Sequence, residues 1–171
     1  MYVEVYCINS ITLYTIFISG FSIYNSAVKA YKANGRNGHC LQDEWDLKEQ
    51  PKAYKCVTHP NYPNMFYCLG PNAGLGHNTV IYMIECQNNY AIDAIKKLIA
   101  SGHKSMDCKQ QPFDQYHQDL FEDMKNRVFG AGGCRAWYTN DKGVNWTLWP
   151  NDLTNYWMVT RSCDLNDYHL K

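Results

Sequence analysis

The sequence has no excess of either charge. Its 16 lysines and arginines balance 16 aspartates and glutamates, and charged residues make up only 19% of the chain. A nucleic-acid or anionic-membrane surface needs a basic patch that attracts phosphate. The 14 tyrosines and 5 tryptophans are scattered with no basic stripe between them, so nucleic acid is not an expected partner. Metal-binding patterns are missing too. Cys7, Cys40, Cys56, Cys68, Cys86, Cys108, Cys134 and Cys163 include no C-x-x-C pair, and the 6 histidines lack H-E-x-x-H or zinc-finger spacing. No metal site is expected. An even cysteine count would suit a disulfide scaffold in a short secreted chain. Several of these cysteines instead lie inside apolar runs such as "FYCLG" and "MIECQ", where a thiol acts as a small buried hydrophobe. Free thiols and a cytoplasmic location are the reading that follows. Repeats and low-complexity tracts are absent.

What is present is a chain of 171 residues, 46% of them hydrophobic, enough for one domain with a core. Residues 5–24, "VYCINSITLYTIFISGFSIY", carry no charge and are long enough to cross a bilayer. Yet the run is rich in Ser, Thr, Asn and Tyr, is preceded by Glu4 rather than a basic region, and crowds β-branched residues into "ITLYTIFI". A buried strand and a membrane span are both open at this point.

Further on, "NGRNGH" and "THPNYPN" are loops, the second because Pro60 and Pro63 forbid a helix there. The stretch "LQDEWDLKEQPKAY" is polar and ends in a proline, and "MFYCL" has the look of a short strand. Over 79–99, apolar residues recur at Val80, Met83, Ile84, Ala91, Ile95, Leu98 and Ile99, close to a 3.6-residue period. Asn78 is the expected N-cap, Lys96 and Lys97 suit the negative end, and Gly102 suits the C-cap. A second helix runs from 113 or 114 to about 128, with Phe113, Tyr116, Leu120 and Met124 on one face. After "GAGG", the segments "CRAWYT" and "VNWTLW" form two strands joined by "NDKG", with Gly143 where a positive φ is wanted. One more apolar segment, in "NYWMVTRSCDLNDYHLK", precedes a polar end.

Between the "MFYCL" strand and the first helix lies "GPNAGLGHNT". The first turn of a helix has unpaired N–H groups and the positive end of the macrodipole, and glycines let an anion approach that backbone. "GLGHNT" stops one glycine short of G-x-G-x-x-G, with Thr79 in the last place. The acid that should close a second strand is also missing: Glu85 and Asp93 both fall inside the helix. As a self-contained dinucleotide fingerprint the turn fails. An anion cradle and a plain strand–helix loop both remain.

Several strings taken in order resemble the C-terminal region of flavin-dependent Baeyer–Villiger monooxygenases, the 4-hydroxyacetophenone monooxygenase-like branch in particular. They are "YPNMFYCLGPNAGLGHNT", "MIECQ", "GGCRAWYTNDKGVNWTLWP" and "NYWMVTRSCDLNDY". The family pattern carries F-P-N-L-F, G-P-N-t-x-L-G-H and W-Y…W-P in this order. "NGRNGHCLQDEW" resembles its G-R-x-G-x-x-L-x-x-x-W, and "FISGF" its Y-A-T-G-F. The likeness is strong over 35–168 and weaker over 13–34, where Ile18 and Ser19 replace Ala and Thr, and Leu13 replaces an aspartate. Residues 1–12 match nothing in the pattern.

The resemblance implies an α/β fold: the C-terminal return of a discontinuous FAD-binding Rossmann-type domain, with a strand–turn–helix core and a C-terminal β-hairpin. Residues 1–34 would be a divergent lead-in carrying an apolar strand, not a membrane anchor, and 35–171 the C-terminal portion of the FAD-binding domain. FAD and NADP are the implied cofactors, and a small ketone or heteroatom compound the implied substrate. By position in the motif, Gly70, Pro71 and Asn72 would form the turn beside the flavin ring, and Asn78, Thr79 and Val80 would point amides at its pyrimidine edge. Trp137 corresponds to a tryptophan that reaches NADP when the site closes, although packing in the hairpin is an equal alternative. Trp149 and Arg161 are expected to be structural.

No catalytic residue is carried over, because the family's two dinucleotide fingerprints and its active-site arginine have no counterpart here. The chain is therefore expected to be a fragment that is inactive alone and that self-associates through exposed core surface. The alternatives are a non-catalytic remnant or a small membrane-anchored binding module.

Overall fold

The computed structural model of the chain describes residues 3–6, 31–48, 50–129, 138–140 and 142–171. Among the described residues there are two short two-stranded sheets and four α-helices. Strand β1 (Val3–Tyr6) pairs in parallel with β2 (Tyr31–Asn34), Val3 opposite Tyr31. Helix α1 (Leu41–Lys48) follows a turn at Arg36–Gly38, where Asn37 and Gly38 have φ of 57° and 78°. Helix α2 (Val80–Ala100) leads into β3 (Met106–Cys108) and α3 (Gln110–Lys125). Helix α4 (Leu153–Thr160) precedes β4 (Tyr168–Leu170), which returns antiparallel to β3 with Met106 opposite Leu170.

The two long helices form where their apolar period places them. Helix α2 buries Met83, Cys86, Ala91, Ala94 and Leu98 along one face. Lys97 lies in its last turn as expected, but Ser101 rather than Gly102 is the C-cap, and Gly102 follows it at φ +75°. Helix α3 starts at Gln110, earlier than the expected 113 or 114, because Pro112 is tolerated in a first turn. Phe113, Leu120 and Met124 are buried on one face, with Tyr116 half-buried beside them.

The core lies between these helices and the irregular stretch 50–78, and it is rich in tyrosine. One cluster gathers Tyr54, Val57, Phe66, Tyr90, Ala94, Leu98, Phe113 and Tyr168; a second gathers Cys56, Ala73, Leu75, Met83, Leu120, Trp149 and Tyr156. Buried phenols are usually hydrogen-bonded: the Tyr90 and Tyr168 hydroxyls lie 2.8 Å apart and Tyr156 donates to the Lys55 carbonyl at 3.2 Å, whereas the buried Tyr67 hydroxyl has no partner among the described residues. The six described cysteines (Cys40, Cys56, Cys68, Cys86, Cys108 and Cys163) are all free.

Several expectations are corrected. Residues 65–69 form no strand: Asn64 and Leu69 take φ of 58° and 62°, and the Leu69 amide bonds to a side chain, so no ladder is possible. The core is thus turn–helix rather than strand–turn–helix. Most of the expected strand at 134–139 lies outside the described residues; of the hairpin, the Gly143 amide donates to Asn140 O, Gly143 takes φ +76°, and Thr139 bridges Asn145. Residues 146–149 pair with the glycine turn instead, bridging Gly74 to Leu148 in parallel. The polar stretch at 41–48, to which the sequence pattern assigns no element, is helical, with Leu41 and Trp45 buried one turn apart. Asn78 does not cap α2; Thr79 holds that position.

Among the described residues, no helix is long and apolar enough to cross a membrane. Most of the uncharged segment at 5–24, including "ITLYTIFI" and "FISGF", lies outside the described residues.

Helix α4 has a conventional start, the Asp152 side chain accepting from the Asn155 amide at 2.7 Å. Asp152→Ala is expected to lower stability by about 1 kcal/mol. A urea-melt midpoint indistinguishable from wild type would show that the cap is dispensable.

Candidate functional site

The glycine turn is held by its neighbours rather than by its own strand. Gly70 is required by close approach: a Cβ there would collide with the Cys56 carbonyl oxygen. At Gly74 the same atom would lie 2.9 Å from the Thr147 carbonyl oxygen. The glycines therefore let two backbone segments pass close to the turn. Pro71 and Asn72 are buried, Gly70 is half-buried, and Asn72 sits at φ 59°, a left-handed conformation that Asn tolerates better than most residues.

Two buried amide side chains fasten the turn. Asn72 Nδ2 donates to the carbonyls of Asn145 at 3.2 Å and Leu148 at 3.1 Å, while its backbone amide donates to Trp146 O at 2.8 Å. Gln87, in the middle of α2, donates from Nε2 to Cys56 O at 3.1 Å and accepts from the Leu69 amide at 2.6 Å. Sequence reasoning missed Gln87. Its only signal was a polar residue four positions after Met83 on the apolar face.

Beyond the turn, the chain emerges to the surface. Asn78 and Thr79 are exposed and Val80 is half-buried. Asn78 Oδ1 accepts from the Thr79 amide at 2.8 Å, and among the described residues no side-chain cap bond is made at the start of α2. The positive end of a 21-residue helix is thus left for another acceptor. It opens onto a cleft of about 410 Å³ lined by Asn78, Thr79, Tyr82, Leu153, Thr154 and Trp157. The four lining residues beyond Asn78 and Thr79 were not among the sequence candidates. Trp157, on α4, is partly exposed under the Arg161 guanidinium, 5.6 Å from the ring centre.

The structure therefore brings six of the seven candidates into one continuous segment but divides them. Gly70, Pro71 and Asn72 form its packed base, whereas Asn78, Thr79 and Val80 form its open rim. Trp137 lies outside the described residues. Trp149 is buried and meets Tyr156 edge-on at 5.0 Å, a packing role. Among the described residues, no group of three or more His, Cys, Asp or Glu side chains is arranged to hold a metal ion.

No family model matches the chain. It is 37% identical over 156 residues to a Baeyer–Villiger monooxygenase of Pseudomonas aeruginosa, covering 91% of this chain and 29% of that protein. It is 31% identical over 156 residues to a Baeyer–Villiger monooxygenase of Streptomyces coelicolor, covering 91% and 30% respectively. An FAD-binding monooxygenase of Aspergillus niger is 30% identical over 162 residues, covering 91% and 26%. The chain thus spans under a third of the length of these relatives. Its fold matches part of a cyclohexanone monooxygenase mutant from Rhodococcus sp. Phi1 bound to NADP+, with a TM-score of 0.67, 23% identity, and coverage of 90% of this chain and 28% of the other. A steroid monooxygenase bound to NADP matches with a TM-score of 0.71 and 17% identity, covering 88% and 28%. The described mixed α/β fold is a portion of the fold of these monooxygenases.

Proposed function

We propose that this chain is the C-terminal part of an FAD- and NADP-dependent Baeyer–Villiger monooxygenase, of the 4-hydroxyacetophenone monooxygenase-like branch. Residues 35–171 would complete a discontinuous FAD-binding domain, with 1–34 as its divergent lead-in. The observation that carries this reading is the uncapped start of α2, opening onto the 410 Å³ cleft in a chain 37% identical to such an enzyme.

The residues present fit a flavin at that place. Asn78 and Val80, and Thr79 once its amide is released from Asn78 Oδ1, would offer backbone amides and a helix dipole to the ring edge that carries negative charge. Gly70, Pro71 and Asn72 form the rigid base behind it, and Asn72 Oδ1 is buried without a hydrogen-bond partner among the described residues. FAD, when bound, supplies the electron transfer and oxygen chemistry, and the protein supplies binding, orientation and electrostatics. Trp137 would serve NADP. The substrate would be a small ketone or heteroatom compound, the enzyme cytoplasmic, and the isolated chain inactive. The outer face of α2 supports self-association, with Ile81 and Ile99 exposed by 68% and 64%.

The test is a hybrid in which residues 35–171 replace the matching segment of the Pseudomonas aeruginosa relative. The hybrid is expected to purify yellow and to consume NADPH when given a ketone. A folded hybrid free of flavin would overturn the reading. The chain alone is expected to purify colourless and to leave NADPH untouched; a yellow monomer that oxidises NADPH would refute its inactivity. Thr79→Asp separates the amide role from simple packing. A carboxylate at that N-cap should stabilise α2 by about 0.5–1 kcal/mol. In the hybrid the same carboxylate should compete for the amides and weaken FAD binding about fivefold, roughly 1 kcal/mol. Tighter FAD binding in Thr79→Asp would exclude an anion at this helix end.

A further inference from the structure

A line of oxidisable side chains crosses the core, and the monooxygenase reading gives it no role. It begins beside the glycine turn, where the Trp149 amide donates to Gly74 O at 2.7 Å. The Trp149 indole meets the Tyr156 ring edge-on at 5.0 Å. Tyr156 packs with Cys56 in one buried cluster, and the Tyr116 hydroxyl lies 3.5 Å from the Cys56 thiol. The Tyr116 ring meets Tyr54 edge-on at 5.4 Å, and the Tyr54 hydroxyl donates to Asp167 Oδ2 at 2.7 Å. Trp149, Tyr156, Cys56 and Tyr54 are buried, whereas Asp167 is half-buried and in reach of solvent.

We propose that Trp149, Tyr156, Cys56, Tyr116 and Tyr54 form a one-electron relay from the glycine turn to Asp167, with Tyr54 as the place where an oxidising equivalent comes to rest. The inference rests on the geometry of this chain and needs no bound cofactor. Tryptophan, tyrosine and cysteine are the side chains that lose a single electron most readily. An oxidised phenol is a strong acid, so its radical is stabilised only where a base accepts the proton. Along this line only Tyr54 has one. Trp149 Nε1 is buried without a hydrogen-bond partner among the described residues, and Tyr156 donates to a backbone carbonyl, which is no base. Burial pushes the Cys56 thiol up to about 12, so it stays protonated. Tyr168 branches off Tyr54, with ring centres 6.3 Å apart, but among the described residues its hydroxyl meets those of Thr58 and Tyr90 and no carboxylate.

An outer-sphere one-electron oxidant gains one electron from Trp149, and each member of the line is re-reduced by the next. Tyr54 loses one electron to the line and its phenolic proton to Asp167 Oδ2. The products are the reduced oxidant, a neutral Tyr54 phenoxyl radical and a protonated Asp167; the others return to their starting state.

The experiment uses the whole chain with flash-generated tris(bipyridine)ruthenium(III), freeze-quenched for electron paramagnetic resonance. The wild type is expected to give a tyrosyl signal that falls several-fold in Tyr54→Phe and in Asp167→Asn. Tyr138→Phe, which alters a half-buried tyrosine off the line, should leave the signal unchanged. Tyr116→Phe should strand the equivalent upstream, so that tryptophan-radical absorbance outlives that of the wild type several-fold. An unchanged tyrosyl amplitude in Tyr54→Phe overturns the assignment of Tyr54, and an unchanged tryptophan-radical lifetime in Tyr116→Phe overturns the relay. Should Tyr54→Phe fail to fold, Asp167→Asn decides, because it keeps every ring in place; full signal in that variant refutes the role of the carboxylate.

Discussion

Asn72→Ala is expected to destabilise the chain by about 3–5 kcal/mol, a large part of the 5–15 kcal/mol that holds a typical domain together. Two terms add. The side-chain amide donates to two carbonyls, Asn145 O and Leu148 O, inside a residue that is 0% exposed. Removing such a donor leaves each buried acceptor short of a partner, at about 1–3 kcal/mol apiece. Alanine must also adopt the φ of 59° seen here, at roughly 1–2 kcal/mol for a left-handed residue. Loss of the buried Oδ1, which has no partner among the described residues, returns part of this.

Asn72→Gly separates the terms, since it loses the hydrogen bonds but accepts the backbone conformation. Urea melts should place Asn72→Gly about 1–2 kcal/mol above Asn72→Ala and both well below wild type. Equal midpoints for the two variants would remove the backbone term. A loss under about 1 kcal/mol in Asn72→Ala would show that residues 145–148 are held by something else. In the hybrid enzyme the same variant should lose flavin, because the base of the turn is no longer fixed.

The dependence on Asn72 explains which parts of this fold were legible in the sequence. Helices α2 and α3 were, because each buries one continuous face and the 3.6-residue period records it. The left-handed positions at Gly102 and Gly143 were legible because glycine is the usual residue there. The turn's support was not. "MFYCL" has the apolar content of a strand, but the Leu69 amide is taken by Gln87, 18 residues away, and no period in the sequence reports that bond. Strands β3 and β4 are three residues each, with Asp107 opposite His169, too short and too polar to alternate visibly. Two buried polar residues were within reach of the pattern. Gln87 and His117 sit on the buried faces of α2 and α3, four positions after Met83 and Phe113, and a polar residue in that register marks a site where the helix holds something other than hydrocarbon. The rim of the candidate site was half visible: Asn78 and Thr79 come from the motif, whereas Trp157 and Leu153 reach the cleft only because α4 packs beside α2.

Acidification from pH 7 to pH 5 is expected to cost the chain about 2 kcal/mol through His117 alone. The imidazole is 2% exposed and enclosed by rings, edge-on to Phe113 at 4.7 Å and Tyr116 at 5.2 Å, and stacked on Phe121 at 5.9 Å. Burial, and then the charges of Lys52 and His59, lower its pKa to about 3 from an ordinary 6.5. The unfolded chain therefore takes up a proton as pH falls through 6.5, while the folded chain refuses it until about 3. Stability falls with pH across that window, by about 1.4 kcal/mol for each unit below 6.5, and is fully retained only above it.

Asp107 acts in the opposite sense. Burial raises its carboxyl despite Arg36 at 3.5 Å, so the native state binds that proton more readily and gains stability as pH falls. The net slope of the wild type mixes the two, and only a difference isolates the histidine. His117→Phe keeps a ring in the aromatic cluster and removes the titration. Its loss of stability between pH 7 and pH 5, from urea melts at both pH values, should be smaller than that of the wild type by about 2 kcal/mol. Parallel slopes for the two proteins would mean that His117 is protonated in the folded state at pH 5, and that the ring cluster opens to admit the charge.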